Sequence, residues 1–162
     1  MSTILFPGSF DPFTVGHQSL VERALSIGDK VIIAIGINEN KRCCFSLEER
    51  IATIKSLYEG DSRVEVVAYS NLTTDFAKEC NASYILRGIR SIIDFEYEKN
   101  IADVNRLISG IETIFLLSKP EYAHISSSVV RELLHFGKDV SNFLPSPKKG
   151  LKKTLSTCQL VN

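Results

Sequence analysis

Two arginines, Arg87 and Arg90, bracket Gly88 and Ile89 in the tetrapeptide "RGIR". Paired guanidinium forks so spaced match the oxygens of a phosphate group. A second set of chemistry-bearing residues lies in "FPGSFDPFTVGH" at positions 6–17. There Gly16-His17 begins a helical pattern, and the first N–H groups of a helix, at the positive end of its dipole, attract anions. Ser9 can offer a hydroxyl or an N–H to phosphate, although alone it is an ordinary turn serine. Asp11 is read as bonding backbone N–H groups in preference to catalysis. A third set is "ISSS" at 125–128, just before another helical pattern, where capping explains one serine better than three. Lys41 and Arg42 stand in the polar run "NENKR", where solvated surface charge is the ordinary reading. Asp94 and Glu98 open a long helix and suit its dipole without any functional role, though Glu98 could accept a ribose or adenine hydrogen bond. His124 and His135, taken by themselves, read as structural.

These residues converge only if the elements between them do. Residues 2–6 read as a short strand cut off by Pro7, and from His17 the positions Leu20, Val21, Ala24 and Leu25 recur at helical spacing towards Gly28. "VIIAIGI" at 31–37 is apolar on both faces, as a central parallel strand should be. Ser46 and Glu49 form a capping-box pattern for a helix reaching about Tyr58. Further strands are expected at 64–68, 84–86 and 113–117, and further helices at 74–80, 94–108 and from Ser127 or Ser128 to Phe136. A last basic helix is expected within "LPSPKKGLKKTL". Strands alternating with helices imply one open doubly wound α/β domain over 1–162, a parallel sheet of about five strands with helices on both faces. In such a sheet ligands bind beyond the carboxyl ends of the strands, which is where all the loops named above fall.

The chain's 162 residues suit a single domain, and its 44% hydrophobic content is ordinary for a globular protein. Lys+Arg and Asp+Glu are each 19, giving no net charge, which argues against a dedicated nucleic-acid binder. The longest apolar stretch is too short to span a bilayer and no leader opens the chain, so a cytoplasmic location without membrane attachment is expected. The four cysteines, Cys43, Cys44, Cys80 and Cys158, lack zinc-ligand spacing and read as free thiols.

"PGSFDPFTVGH", "FSLEER", "RGIRSIIDFEYE" and "HISSSVVRELL", in this order and at these separations, resemble the phosphopantetheine adenylyltransferase family of the nucleotidyltransferase superfamily. The resemblance runs from about residue 3 to Leu144. It implies a Rossmann-like domain that transfers the adenylyl group of ATP to 4′-phosphopantetheine, giving dephospho-coenzyme A and pyrophosphate. It further implies that Ser9, Phe10, His17, Gly88, Ile89, Arg90, Glu98 and the run Tyr122, Ala123, His124, Ile125, Ser126, Ser127, Ser128 hold ATP. Ser9, Lys41, Thr73 and Arg87 would hold phosphopantetheine, with His17 stabilising the transition state beside Lys41 and Ser9. Mg²⁺ would arrive with ATP, without protein side chains as ligands. Homohexamers and inhibition by coenzyme A are family properties that spacing and composition do not carry. Val15 and Glu39 depart from the Asn and Pro that many members have. The alternatives are a related nucleotidyltransferase with another acceptor, a nucleotide-binding module without turnover, and a nucleic-acid-binding domain using the basic tail.

Overall fold

The computed structural model describes residues 1–38, 40 and 42–146. Five strands, β1 (Thr3–Gly8), β2 (Lys30–Gly36), β3 (Val64–Tyr69), β4 (Tyr84–Ile89) and β5 (Glu112–Leu117), form one sheet in the order β3-β2-β1-β4-β5. Every pairing is parallel. The helices are α1 (Val15–Ala24), α2 (Leu47–Leu57), α3 (Thr73–Glu79), α4 (Ile92–Ser109) and α5 (Ser127–His135), with a short 3₁₀ turn at Pro120–Tyr122. The doubly wound α/β architecture expected from the sequence is the one observed. The expected last basic helix, Cys158, Glu39 and Lys41 lie outside the described residues.

The sheet divides two apolar layers. On one face Ile4, Phe6, Val31, Ile33 and Ile35 meet Leu20, Val21 and Ala24 of α1 and Ile54 and Leu57 of α2. On the other, Leu5, Ile32, Ala34 and Ile85 meet Ala77 of α3. Alternate residues of β1 and β2 therefore serve opposite layers, which is why both strands read as continuous apolar runs. The expected capping box starts α2: Ser46 Oγ accepts from Glu49 N at 3.1 Å, and Glu49 Oε2 accepts from Ser46 N at 2.8 Å.

Two strands extend further than the sequence suggested. Pro7 does not end β1; it continues the strand in register with Ala34 of β2. Its missing donor removes no ladder bond, because pairing of β1 with β4 stops at Leu5↔Ile85, before Pro7 is reached. β4 likewise runs on through Arg87, Gly88 and Ile89, so these residues form the strand end, not the loop after it. Helix α1 stops at Ala24, short of Gly28. Among the cysteines, Cys43 and Cys80 are free, but Cys44 is disulfide-bonded, which corrects the expectation of free thiols at that position.

The switch in strand order lies between β1 and β4, and α1 packs there against β4. Gly88 makes this approach possible: a Cβ on it would lie 2.4 Å from Leu20 Cδ1. Gly88→Ala is expected to destabilise the fold by about 1–3 kcal/mol through overpacking, read as a lowered urea midpoint. The Gly88→Ala/Leu20→Ala double variant should lose less than the sum of the single losses. Simple additivity would mean the two sites are not in conflict.

Candidate active site

A cleft of about 360 Å³ opens beyond the carboxyl ends of β1 and β4. Its floor is Pro7, Gly8, Ser9 and Phe10. One wall carries His17 and Leu20 from α1. The opposite wall carries Arg87 and Gly88 of β4 with Arg90, Asp94 and Glu98, and the rim is Tyr122, Ile125, Ser126, Ser127, Ser128 and Arg131. Residues from three separated sequence blocks thus meet at the topological switch point, where open α/β sheets bind ligands.

His17 is held by the helix it begins. Thr14 caps α1, and its backbone N–H donates to His17 Nδ1 at 3.0 Å. A backbone N–H can only donate, so Nδ1 is the acceptor and the neutral ring carries its proton on Nε2. Thr14 Oγ1 also stands 3.0 Å from Nδ1 and accepts from His17 N at 3.4 Å. The imidazole packs among the rings of Phe6, Phe10 and Phe13, with centroids at 6.1, 5.2 and 5.3 Å. Burial, helped by the positive charges of Arg90 and Arg87, pushes its pKa down to about 4. At neutral pH His17 is therefore an uncharged donor on the cleft wall.

The two arginines of "RGIR" are already paired with carboxylates. Arg87 donates from Nε to Glu98 Oε2 at 2.7 Å, from Nη2 to Glu98 Oε1, and from Nη1 to the Pro7 carbonyl at 3.0 Å. Two of its five N–H donors remain for a ligand. Glu98, the buried residue of α4, thus holds an arginine that the resemblance assigns to the other substrate. Arg90 donates from Nε to Asp94 Oδ2 at 3.0 Å, and Asp94 is bound to the start of α4 by the Ser91 cap. This pair is more exposed than Arg87–Glu98 and is weakly held.

The first loop is fixed from several sides. Gly8 leaves room for the ring of Phe10, since a Cβ there would lie 2.9 Å from Phe10 Cζ. Phe10 itself has a φ of 47°, a left-handed conformation unusual for a bulky residue. Asp11 is a backbone ligand, as expected, but for another loop: its carboxylate accepts from Cys44 N and Phe45 N, each at 2.8 Å. Ser126 caps α5 by accepting from Val129 N, while Ser127 Oγ donates to the Pro12 carbonyl at 2.8 Å. Three serines thus have distinct tasks, of which capping is one.

Several expected residues are not on the cleft surface. Ile89 is buried in the sheet, and Ala123 is not part of the lining. His124 is exposed with its ring against Phe143. Thr73 begins α3 at the end of β3, hydrogen-bonded to Tyr69 Oη at 2.9 Å. Lys41 lies outside the described residues. Conversely, Arg131 was not anticipated: it lines the cleft, donates to the Asp11 carbonyl at 2.7 Å and reaches Ser128 Oγ at 3.2 Å. Its position on the first turn after "SSS" was the available signal. Thr14 was also missed, although Thr three residues before a side chain that can accept is a capping-box arrangement.

Comparison with known proteins gives a consistent result. The cytidylyltransferase-like family model matches residues 5–133. The phosphopantetheine adenylyltransferase of Phocaeicola vulgatus is 56% identical over 149 residues, covering 92% of this chain and 99% of that protein. The enzyme of the same name from Bacteroides thetaiotaomicron is 53% identical, covering 90% and 96%. Among solved structures, a bifunctional NMN adenylyltransferase/ADP ribose pyrophosphatase from Francisella tularensis superposes with a TM-score of 0.70 at 18% identity, covering 88% of this chain and 44% of that one. At that identity it shows the fold alone.

His17 gives the site a pH signature. Between pH 6.5 and about 4 the unfolded chain binds a proton at this ring that the folded protein refuses, so its contribution to stability falls as pH falls through that window. The full effect is on the order of 3 kcal/mol. His17→Gln keeps an acceptor for the capping box but does not titrate. The stability difference between the parent and His17→Gln should therefore shift against the parent on going from pH 7 to 4, as measured by urea unfolding. A difference independent of pH would refute the assignment.

Proposed function

The chain belongs to the phosphopantetheine adenylyltransferases of the cytidylyltransferase-like family, and we propose that its cleft performs their reaction by positioning and fixed donors, without a general base. The adenylyl group of ATP passes to 4′-phosphopantetheine, giving dephospho-coenzyme A and pyrophosphate. A phosphate oxygen of the acceptor forms the new bond to the α-phosphorus, while the bond from that phosphorus to the bridging oxygen breaks and pyrophosphate takes the electron pair. A phosphomonoester has a second pKa of about 6, so the nucleophile is already mostly ionised and needs no proton acceptor. What the protein must supply is alignment of two polyanions and donors for the charge on the reacting group.

The observation that carries this reading is the fixed imidazole of His17, whose Nδ1 is occupied by Thr14 N–H and whose Nε2–H has no acceptor among the described residues. That N–H donates to an α-phosphoryl oxygen and strengthens as charge gathers there. Arg90, Ser127 and Ser128 bind the β- and γ-phosphates, and Glu98 and the turn at Tyr122 border the nucleoside. Ser9, Arg87, Thr73 and, by resemblance, Lys41 receive the acceptor's phosphate and its arm. Mg²⁺ carried on the nucleotide's phosphates would supply partial neutralisation of their charge, with no protein side chain needed as its ligand. Of the cleft carboxylates, Asp11 is engaged by backbone N–H groups and Glu98 by Arg87.

The finer reading includes a cytoplasmic, homo-oligomeric enzyme, hexameric as in the family, with coenzyme A competing for the cleft. Among the described residues no helix is long and apolar enough to cross a membrane. Helix α4 exposes Ile93, Tyr97, Val104 and Leu107 at near-heptad spacing, and β5 is an edge strand exposing Leu117. A helix face of that kind is what a second copy would cover.

Pyrophosphate release from ATP and Mg²⁺ should depend on 4′-phosphopantetheine and be weak with nicotinamide mononucleotide. His17→Ala should lower kcat by roughly 10²–10³ with little change in ATP affinity. Nearly full turnover with weakened ATP binding would sink the role given to His17. For assembly, Leu107→Glu should shift the light-scattering mass to smaller species while circular dichroism is unchanged. An unchanged mass would move the interface elsewhere.

A further inference from the structure

Of the motif "FSLEER" at 45–50 only the Phe45 N–H has entered the site so far, yet its last residue reaches the first loop that floors the cleft. Ser46 and Glu49 fix the first turn of α2, and Arg50 follows directly. Arg50 is 8% exposed, and its guanidinium donates from Nη1 to the Ser9 carbonyl at 2.7 Å and from Nε to the Ser46 carbonyl at 3.2 Å. It forms no ion pair with any described residue. A buried guanidinium held by carbonyl oxygens alone is costly, so something must repay its burial.

The neighbouring backbone shows what it does. In a trans peptide the C=O and the following N–H point in opposite directions. Fixing the Ser9 carbonyl on α2 therefore turns the Phe10 N–H away from α2. Phe10 is 3% exposed and lines the cleft, and its N–H has no acceptor among the described residues. A buried, unpaired backbone donor beside a cleft is a group awaiting a ligand. The left-handed φ of Phe10 requires that the peptide be held from outside, and Arg50 holds it. Asp11 completes the arrangement in reverse, sending its carboxylate from the first loop to the N–H groups of Cys44 and Phe45.

Resting on the adenylyl-transfer reading above, we propose that Arg50 is a positioning residue for the reaction: by holding the Ser9 carbonyl it presents the Phe10 N–H to a phosphoryl oxygen in the cleft. Arg50 makes no hydrogen bond to β4, α4 or α5, whose residues form the rest of the phosphate site. Its loss should therefore disturb alignment more than nucleotide affinity.

The test uses Arg50→Gln and Arg50→Lys in the full chain, with pyrophosphate and Mg²⁺ as the binding probe. In the parent protein the ¹⁵N-resolved amide signal of Phe10 should move downfield on adding pyrophosphate. In Arg50→Gln that response should be at least halved, and kcat should fall by roughly 10–100-fold while KM for ATP stays within about threefold. Arg50→Lys, which keeps one donor for the Ser9 carbonyl, should recover part of both, and it carries the test if Arg50→Gln does not fold. An unchanged Phe10 response, or kcat within about twofold of the parent in both variants, would overturn the proposal. A Phe10 response that is present in the parent and halved in Arg50→Gln, in a protein that makes no dephospho-coenzyme A, would remove the reaction and still support the positioning role.

Discussion

Everything in this molecule depends on the early parting of β1 from β4. Each of the other three strand pairs keeps six residues in register, whereas β1 and β4 share only Ile4↔Tyr84 and Leu5↔Ile85. Beyond that point both strands continue, β1 to Gly8 and β4 to Ile89, without their ladder. The freed backbone must find other partners or face a ligand. The Pro7 carbonyl finds Arg87, and proline's absent N–H asks for nothing. The cleft follows from this divergence, with Leu20 of α1 and Gly88 of β4 on its facing walls. A full β1–β4 ladder would bury the same residues and leave no site.

The charge arrangement follows from the same geometry. A cleft meant for two polyanions needs cations, but unpaired cations side by side would repel in the empty protein. Here Arg87 is paired with Glu98 and Arg90 with Asp94, so the empty site has its own counter-ions. The pairs differ in strength. Glu98 is buried and grips Arg87 by both oxygens, which makes Arg87 a fixed plate with two donors to spare. Arg90 and Asp94 are more exposed, so theirs is the more weakly held pair. A net charge of zero is thus compatible with a cleft that carries arginines, because Arg87 and Arg90 have local counter-ions.

The parts of this design legible in the sequence are those written in adjacent residues. Ser46 with Glu49 announces a capping box, "VIIAIGI" announces a doubly covered strand, and Gly16-His17 announces a helix start. The sequence pattern ends β4 at Leu86, whereas the strand runs on through Gly88, which admits Leu20. Pro7 misled in the same way, since only the pairing pattern reveals that its donor is not missed. The Arg50–Ser9 contact spans 41 residues and the Arg131–Asp11 contact 120, and no local pattern encodes either. The convergence of the loops was inferable from fold class. Which arginine meets which carboxylate was not, because it depends on side-chain reach across the cleft.

The protonation state of His17 has to survive the arrival of substrate. Three influences favour the neutral ring in the empty protein: burial among phenylalanines, and the charges of Arg90 and Arg87. Phosphates entering the cleft would offset the arginines and draw a proton to the imidazole. An imidazolium would then attract the substrate's charge in the ground state nearly as well as in the transition state, which does little for the chemical step. The bond from Thr14 N–H to Nδ1 acts differently, because phosphate does not screen it away. A proton on Nδ1 would face a donor that cannot turn, and accepting it would cost the hydrogen bond from Thr14 N–H, one half of the capping box. Thr14 thereby keeps Nε2–H as a neutral, directed donor, the property that the role proposed for His17 requires.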